Sequence, residues 1–225
     1  MVYKKIGKKI PNLVMSPKVS LKQIERYPVY LNVLLSLRNS GINKVNSHLL
    51  AEALGVSEEQ VRKDLQIVSP KSSKPGCSRD VDTLINHLKD YLGYNSVNKA
   101  VLVGVGHLGS ALLSFKGFDD YGLDIVAGFD IDPSLTGESL NDKPIYSIFN
   151  LDNKIKELGV EVAIVATPRD VTQEIVNKLI NSGIKAIWNF VPIHLEHPKD
   201  VVVENMDLAR SLAVFFHRIN NKREA

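Results

Sequence analysis

The sequence contains one cysteine and no long apolar run, and we expect no export signal in it. A single cysteine excludes an intramolecular disulfide and suits a reducing compartment, so we expect a cytoplasmic protein. Because no apolar run approaches the roughly 18 residues that span a membrane, we expect no membrane partner. Residues 1–20 are basic but lack the continuous apolar core and cleavage site of a secretory signal, and we predict a loose basic arm there.

Acidic residues are scarce in the first 95 residues. This part carries 15 Lys and Arg against 8 Asp and Glu, a net charge of +7, whereas the remainder carries 13 against 17, a net charge of −4. A basic part joined to an acidic part indicates that only the first contacts a polyanion such as DNA. Chance scatter of surface charge is the alternative.

Residues 21–95 have the pattern of a helical DNA-binding domain. Apolar spacing predicts one helix over 23–39, and a second, short helix ends at the turn around Gly55. Ser57, followed three residues later by Gln60, forms a capping box that begins a third helix. A short helix, a glycine turn and a capped helix are typical of a helix-turn-helix. A helical hairpin with solvated charges is the alternative.

The third helix supplies the first candidate DNA contacts. Its spacing directs Val61 and Leu65 into the core, while its N-terminal half would enter the major groove. Arg62 can pair with guanine edges, and Lys63 with phosphate or base. The candidate DNA-binding residues are Ser57, Gln60, Arg62, Lys63, Lys74, Gly76 and Arg79.

The last three of these residues belong to a polar loop, "SPKSSKPGCSRD", at residues 69–80. Its prolines, glycine and cations predict a hairpin wing whose tip lies against phosphates or in a minor groove. A plain surface loop is the alternative. Cys77 lies between two cations, which lower the pKa of a thiol, so a thiol sensor is conceivable there, although a lone exposed cysteine is usually incidental.

From Lys99 onward the sequence alternates strands and helices. Strands are predicted at 99–104, 124–130, 143–147, 160–167, 184–190 and 200–205, with helices following the first strand and at 151–158 and 170–182. Near-continuous apolar strands that alternate with helices predict a parallel sheet covered on both faces. The predicted fold class is therefore α/β, a Rossmann-like doubly wound parallel sheet preceded by an all-α, winged-helix domain.

The segment "VLVGVGHLG", residues 101–109, has the form of a dinucleotide-binding turn. Gly104 permits the tight turn, Gly106 lets the backbone approach a pyrophosphate, and Gly109 lets the helix pack against the strand. Asp130 ends the second strand, where its carboxylate can hold ribose hydroxyls and repel a 2′-phosphate. No Arg or Lys follows it closely, which favours NAD(H) over NADP(H). CoA is the nearest rival ligand.

Further cofactor contacts are expected where the fourth and fifth strands end, although either segment could be an ordinary loop. The candidate cofactor-binding residues are Gly104, Val105, Gly106, His107, Leu108, Gly109, Asp130, Thr167, Pro168, Asn189 and Phe190.

The sequence offers no convincing catalyst. A dehydrogenase needs a proton donor near the hydride acceptor, yet no tyrosine has a lysine four residues on. His194 and His197 are the only plausible catalytic pair, and no third metal ligand is evident beside them. We therefore predict no catalytic residue and no metal. A small NAD-dependent oxidoreductase with an accessory helical domain is the alternative.

The whole assembly resembles the Rex family of redox-sensing transcriptional repressors from about Ile24 to the end of the chain. The segments that carry the resemblance are "RYPVY" at 26–30, "LAEALGVSEEQVRKDL" at 50–65, "VLVGVGHLGSALLSFKGF" at 101–118, "GFDIDP" at 128–133, "WNFVP" at 188–192 and "ENMDLARSL" at 204–212. The resemblance implies a homodimer that binds double-stranded operator DNA with NAD+ or without ligand and releases it when NADH binds.

The resemblance also implies that the C-terminal helix swaps into the partner. Independently, Leu208, Leu212, Phe215 and Ile219 recur at helical spacing and give this helix more apolar surface than a terminal helix leaves in water. Packing on its own chain is the alternative. The predicted parts are an arm at 1–20, a winged-helix domain at 21–95, a Rossmann NAD(H)-binding domain at 96–205 and a domain-swapped dimerisation helix at 206–225.

By resemblance, three residues form the switch. Asp207 would pair with Arg26 of a DNA-binding domain in one ligand state only. Phe115 stands where the family usually has a tyrosine that takes part in the switch, and the wing lacks the family's usual aromatic, glycine-rich sequence. These departures leave open a regulator that binds nucleotide but no longer discriminates its redox state.

Overall fold

The structure, a computed structural model, describes residues 19–69 and 78–223. The chain divides into two compact units, residues 1–95 and 96–225. Most of the predicted arm lies outside the described residues, as do Lys74, Gly76 and Cys77 of the predicted wing.

The first unit is a bundle of helices with a two-stranded sheet. Its helices are α1 (Leu21–Ile24), α2 (Tyr27–Asn39), α3 (Ser47–Leu54), α4 (Glu58–Val68) and α5 (Val81–Leu92). Strand β1 (Lys44–Val45) pairs antiparallel with β2 (Arg79–Asp80), which follows the undescribed part of the loop. The largest fully buried side chains of this unit are Tyr27, Tyr30, Leu34, Leu50, Leu65, Leu84 and Leu88. The helices therefore enclose one apolar core.

The single helix predicted over 23–39 is wrong, because α1 ends at Ile24 and α2 begins at Tyr27. The reason is Pro28, which has no N–H to donate to the carbonyl of Ile24 in a continuous helix. A proline is well tolerated in the first turn, so the chain bends and a new helix begins there.

The predicted start of the third helix is confirmed. Ser57 precedes α4, and its Oγ accepts a hydrogen bond from the backbone N–H of Gln60 at 3.2 Å. The second half of the expected capping box is replaced by another contact, because the Gln60 side chain donates to Asp64 at 2.9 Å.

The second unit contains a seven-stranded sheet. Its strands are β3 (Asn98–Val103), β4 (Leu123–Asp130), β5 (Ser139–Leu140), β6 (Lys143–Ser147), β7 (Val162–Val165), β8 (Ala186–Asn189) and β9 (Val202–Asn205). Their order is β5-β6-β4-β3-β7-β8-β9, and every pair is parallel except β5 with β6. The six parallel strands are those predicted, and their order is that of the doubly wound dinucleotide-binding sheet.

The short strand β5 was not predicted. It is joined to β6 by Asn141 and Asp142, which both adopt positive φ angles, 51° and 63°. Two consecutive residues with positive φ form the hairpin turn that matches the twist of paired strands. The Asn-Asp pair was therefore the available signal, although β5 itself is too short to show an alternating pattern.

Helices cover both faces of the sheet. They are α6 (His107–Ser114), α7 (Leu151–Leu158) and α8 (Thr172–Asn181), and the last helix is α9 (Leu208–Arg223). Val101 and Val103 of β3 belong to one buried cluster with residues of α7 and α8, whereas Leu102 belongs to another with Leu113 of α6. Since successive side chains of a strand point to opposite faces, both faces of this strand are apolar.

Within residues 19–69 and 78–223, none of the helices combines the length and the apolar character needed to cross a membrane.

Candidate nucleotide site and DNA-binding surface

The turn after β3 has space for glycine only at two of its three glycine positions. Gly104 has a φ of +93°, and a Cβ there would lie 2.5 Å from the backbone oxygen of Ala166. A Cβ on Gly109 would lie 1.8 Å from the backbone oxygen of Gly104, closer than any real contact. A Cβ on Gly106 would meet no atom within 4 Å. Gly104 and Gly109 therefore allow the turn itself, whereas Gly106 leaves open space at the N-terminus of α6.

Asp130 braces this turn. Its Oδ2 accepts a hydrogen bond from the backbone N–H of Val105 at 2.6 Å, and its Oδ1 accepts one from the N–H of Asp132 at 2.9 Å. The parallel pairing of β3 with β4 brings the end of β4 beside the turn. The carboxylate is therefore fixed at the edge of the sheet where dinucleotides bind.

A cavity of about 360 Å³ opens at this edge. Four predicted residues line it, namely Gly104, Asp130, Thr167 and Pro168, together with Ile131, Phe149, Val171, Glu174 and Lys178, which the sequence analysis missed. Phe149 and Ile131 are 83% and 70% exposed, which is unusual for such large apolar side chains and typical of a ligand contact.

The sequence places no cation close after Asp130, but in the structure Lys178 lines the same cavity as Asp130. Helix α8 brings this lysine to the same cavity, although it lies far from Asp130 in the sequence. Its Nζ lies 2.8 Å from Oε1 of Glu174, and that hydrogen bond lowers the pKa of the glutamate. Because the glutamate balances the lysine, the preference for NAD(H) over NADP(H) stays a prediction.

A second cavity, of about 410 Å³, lies beside the start of α6. Among the residues that line it are Val105, Gly106, His107 and Ser110 of the turn and of α6. The side chains of His107 and Leu108 are exposed, whereas Val105 is buried. The N-terminal end of α6, which is predicted to face the pyrophosphate, is thus open to solvent on this side.

In the first unit, helix α4 presents the predicted cations to solvent. Arg62 pairs with Glu58 at 3.0 Å and Lys63 with Glu59 at 2.8 Å, each one helical turn away. The hydrogen bond from Lys63 lowers the pKa of Glu59. Exposed pairs of this kind contribute little, so both cations can exchange their glutamates for phosphates or bases. The predicted burial of Val61 and Leu65 is confirmed.

Asp64 of α4 is fully buried and lies at the centre of a polar network. Arg26 donates to it twice, from Nε to Oδ2 and from Nη2 to Oδ1, both at 2.8 Å. Tyr30 Oη donates to Oδ2 at 3.1 Å, and Gln60 Nε2 donates to Oδ1 at 2.9 Å. The hydrogen bond with Asp64 raises the pKa of Arg26, and burial, with the carboxylate beside it, raises the pKa of Tyr30.

The sequence analysis missed Asp64. The available signal was its position, since it directly precedes Leu65 and follows Val61 by three residues, on the face of α4 that is buried. A carboxylate on a buried face needs a cationic partner, and Arg26 was the nearest candidate in the first unit that the analysis had already singled out.

Comparison with known proteins finds a matching family model for each of the two units. A family model described as "CoA binding domain" matches residues 95–193, and one described as "Putative DNA-binding protein N-terminus" matches residues 18–66. The redox-sensing transcriptional repressor Rex of Bacteroides fragilis is 38% identical over 205 residues, which is 91% of this chain and 93% of the relative. The Rex repressor of Treponema denticola is 35% identical over 89% of this chain and 95% of its own length. The chain belongs to the Rex family of redox-sensing transcriptional repressors.

Two solved structures of RSP, a Rex-family repressor, are similar to about nine-tenths of the chain. RSP in complex with β-NADH is 31% identical, with a TM-score of 0.82, and the match covers 92% of this chain and 96% of RSP. RSP in complex with β-NAD+ and operator DNA is 32% identical, with a TM-score of 0.84, and the match covers 91% of this chain and 94% of RSP. Membership of a family of repressors favours a regulator over the alternative of an oxidoreductase.

In this Rex-family chain, Asn189 shapes the turn after β8. Its side chain is fully buried, its Nδ2 donates to the backbone oxygen of Val191 and to Oδ1 of Asn205, and its Oδ1 accepts from the N–H of Val191. With no exposed surface, Asn189 is placed to hold the following residue, Phe190, rather than to contact a cofactor itself.

Phe190 begins a row of aromatic side chains that the sequence analysis did not foresee. Its ring centroid lies 4.8 Å from that of Trp188, Trp188 lies 5.7 Å from Phe118, and Phe118 lies 4.9 Å from Phe115. Phe115, which is 52% exposed, ends the row. The row therefore connects Phe190, a predicted cofactor contact, with Phe115, which by the resemblance stands where the family usually has a tyrosine.

The remaining predicted residues of the Rex switch and wing have clear local roles. Asp207 precedes α9 and caps it, because its Oδ1 accepts from the N–H of Arg210 at 2.9 Å. Arg26 is held by Asp64, as described above, and its pairing with Asp207 stays a prediction. Arg79 is half-buried in β2, and burial lowers its pKa, so its predicted contact with DNA also stays a prediction.

Helix α9 leaves apolar residues in solvent. Its exposed large apolar side chains are Leu208, Leu212, Val214, Phe215 and Phe216. Such a surface marks an interaction site. In the part of the chain that the structure describes, no three His, Cys, Asp or Glu side chains come together as a metal site.

Proposed function

We propose that this protein represses transcription as a homodimer that binds operator DNA through its first unit and releases it when NADH binds to the second. The observation that carries this proposal is the similarity of nearly the whole chain to RSP, which has been solved with β-NADH and with β-NAD+ and operator DNA. A repressor that acts on the chromosome of a bacterial cell works in the cytoplasm.

NAD(H) is proposed to lie across the carboxyl edge of the parallel sheet. Gly106 and the N-terminus of α6 would face the pyrophosphate, with Val105, His107 and Leu108 around it. Asp130 would hold the ribose of the adenosine in the cavity of about 360 Å³ that it lines. Thr167, Pro168 and Phe190 would contact the nicotinamide half, with Asn189 fixing the turn that carries Phe190.

The switch requires that the two redox forms differ in affinity for two states of the dimer. The nicotinamide ring is positively charged in NAD+ and neutral in NADH, so an aromatic pocket around Phe190 can discriminate between them. A ligand shifts an equilibrium only by its differential affinity for the two states. The exposed apolar face of α9 is the proposed dimer contact.

The proposal is tested by titrating NADH and NAD+ into the protein bound to a fluorescent operator at constant salt, because phosphate contacts make affinity salt-dependent. Release by NADH at concentrations at which NAD+ has no effect is the expected result. Equal effects of both ligands would instead indicate a regulator that has lost redox discrimination. The phenylalanine at position 115 favours that alternative, because it lacks the hydroxyl of the tyrosine that the resemblance implies there. An operator affinity that neither NADH nor NAD+ changes would contradict the proposal.

Replacement of Asp130 by alanine is expected to weaken NADH binding by about 10- to 150-fold, since charge-assisted hydrogen bonds are worth roughly 1.5–3 kcal/mol. The variant loses both the ribose contact and the brace on Val105. Binding is measured by energy transfer from Trp188, the only tryptophan, to the reduced nicotinamide. The same titration with NADPH is the control, because alanine no longer repels a 2′-phosphate and the preference for NADH over NADPH should narrow. Unchanged NADH affinity would place the ribose contact elsewhere.

Replacement of Asp207 by alanine is expected to reduce the factor by which saturating NADH lowers operator affinity. Coupling between two sites is typically 5- to 150-fold, and most of it should be lost if Asp207 pairs with Arg26 in one state. Asp207→Asn is the matched control, because asparagine caps a helix as well as aspartate but carries no charge. Loss of coupling in both variants would identify the ion pair, whereas loss in the alanine variant alone would identify the cap of α9 and exclude the pair.

A further inference from the structure

Gln60 lies in the first turn of α4, three residues after Ser57 and two residues before Arg62. Its side chain is half-buried, which leaves part of the amide accessible. The N-terminal part of the second helix of a helix-turn-helix is the part that contacts base edges. Gln60 is therefore positioned beside the exposed cations of this helix.

The amide of Gln60 has a defined orientation because of the group that it contacts. Its neighbour is Oδ1 of Asp64, at 2.9 Å. A carboxylate paired with an arginine accepts hydrogen bonds but has none to donate, so the NH2 group of the glutamine must face it. The side-chain oxygen Oε1 of Gln60 is then directed away from Asp64.

The carboxylate of Asp64 is held in one orientation by its own hydrogen bonds. It has no exposed surface, Arg26 holds both of its oxygens at 2.8 Å, and Tyr30 donates to one of them. A buried carboxylate that loses its partners is costly, so the network keeps the carboxylate in one orientation. The orientation of Gln60 follows from a rigid neighbour rather than from a mobile surface contact.

We infer that Gln60 is a specificity-determining residue that recognises adenine in each half-site, and that Asp64 is the residue that orients it. In the major groove, an outward-facing amide oxygen accepts from the N6 amino group of adenine or the N4 amino group of cytosine. The NH2 group of Gln60 donates one hydrogen to Asp64 and has a second one, which can reach N7 of adenine. Cytosine offers no acceptor at that place, so adenine is the base that satisfies both atoms.

This inference rests on the proposed function, since it requires that α4 enters the major groove. It adds a determinant that Arg62 and Lys63 do not supply, because cations pair with guanine edges or phosphates. To the recognition of this base, Arg26 and Tyr30 contribute only through Asp64, and they are, like Asp64, positioning residues for it.

The test is a selection of duplexes from a random library by the wild-type protein, Gln60→Ala and Asp64→Asn. The wild type should enrich a palindrome with adenine at one symmetric position. Gln60→Ala should lose the preference there, by about 5- to 150-fold, while it keeps the preference at all other positions. Asp64→Asn can donate or accept, so the amide of Gln60 can turn over and offer its NH2 group. That variant should admit guanine or thymine at the same position.

A second measurement does not depend on the stability of the Asp64 variant. The selected adenine is replaced by purine, which lacks the N6 amino group, and binding of both operators is measured with the wild type and with Gln60→Ala. The base change should weaken the wild type, by no more than the protein change does, because purine keeps the N7 acceptor, and it should have no further effect on Gln60→Ala.

The outcomes separate the inference from the proposed function. If the wild type enriches no sequence, the proposed function fails. If it enriches a palindrome but Gln60→Ala retains every base preference, the inference is overturned. Weakening of Asp64→Asn by the same factor on all duplexes would also overturn the orienting role, because it would show a purely structural one.

Discussion

Gly109→Ala is expected to abolish NADH binding and to lower the free energy of unfolding of the second unit by about 3 kcal/mol, the upper end for overpacking in a well-packed site. The added Cβ would lie 1.8 Å from the backbone oxygen of Gly104. A flexible side chain could move away, but here α6 or the turn itself must move. Either shift removes the N–H groups of the turn from the place where a pyrophosphate would bind.

Gly106→Ala is the matched control for this prediction. A Cβ at Gly106 meets no atom within 4 Å, and the residue does not have a positive φ, so the free energy of unfolding should stay unchanged. The methyl group would nevertheless occupy the space through which the pyrophosphate approaches, and NADH binding should be lost. Thermal unfolding and energy transfer from Trp188 measure the two properties. A Gly106→Ala variant with normal NADH affinity would show that the ligand does not approach this turn.

The parts of the fold that were predictable are those whose signals are local. Strand β3 is a run of buried apolar residues that leads into a glycine turn, and the same turn needs glycine at two positions for steric reasons. The apolar run of β3, the positive φ of Gly104 and the contact of Gly109 with Gly104 all depend on residues within about ten positions of each other, whereas the contact of Gly104 with Ala166 does not. The break between α1 and α2 was also local, but the helical spacing around Pro28 outweighed the one residue that contradicted it.

The parts that were not predictable depend on contacts between distant segments. Asp64 meets Arg26 across 38 positions of sequence. Its position on the buried face of α4 indicates that it needs a cationic partner, but local spacing does not determine which distant cation supplies it. Lys178 reaches the cavity of Asp130 because strand β7 lies beside β3 in the sheet, which brings the helix after β7 to the same edge. Only the order of the strands determines that proximity.

The two cations of α4 have the same local environment but different predicted roles. Each is exposed, and each pairs with a glutamate one turn earlier. Arg62 is predicted to contact a base edge, since a guanidinium forms two parallel hydrogen bonds with guanine. Lys63 is predicted to contact phosphate or base as a single compact charge. Their exposed ion pairs cost little to break, so the difference in DNA affinity between an alanine variant of Arg62 and one of Lys63 should report the DNA contacts alone.

Arg62→Ala is therefore expected to lower the affinity for the operator by about 30-fold to more than 10⁴-fold, because each bidentate base contact is worth roughly 1–3 kcal/mol and a homodimer makes two of them. Affinity for unrelated DNA should fall much less. Lys63→Ala, the matched control, should weaken binding to all duplexes more evenly and reduce the dependence on salt. NADH affinity should be unchanged in both variants, since the nucleotide site is built from residues of the other unit.

Operator binding is measured by fluorescence anisotropy at several salt concentrations. If Arg62→Ala and Lys63→Ala weaken operator and unrelated DNA by the same factor, Arg62 contacts only the backbone, and base recognition must come from Gln60 of α4 or from the loop before β2.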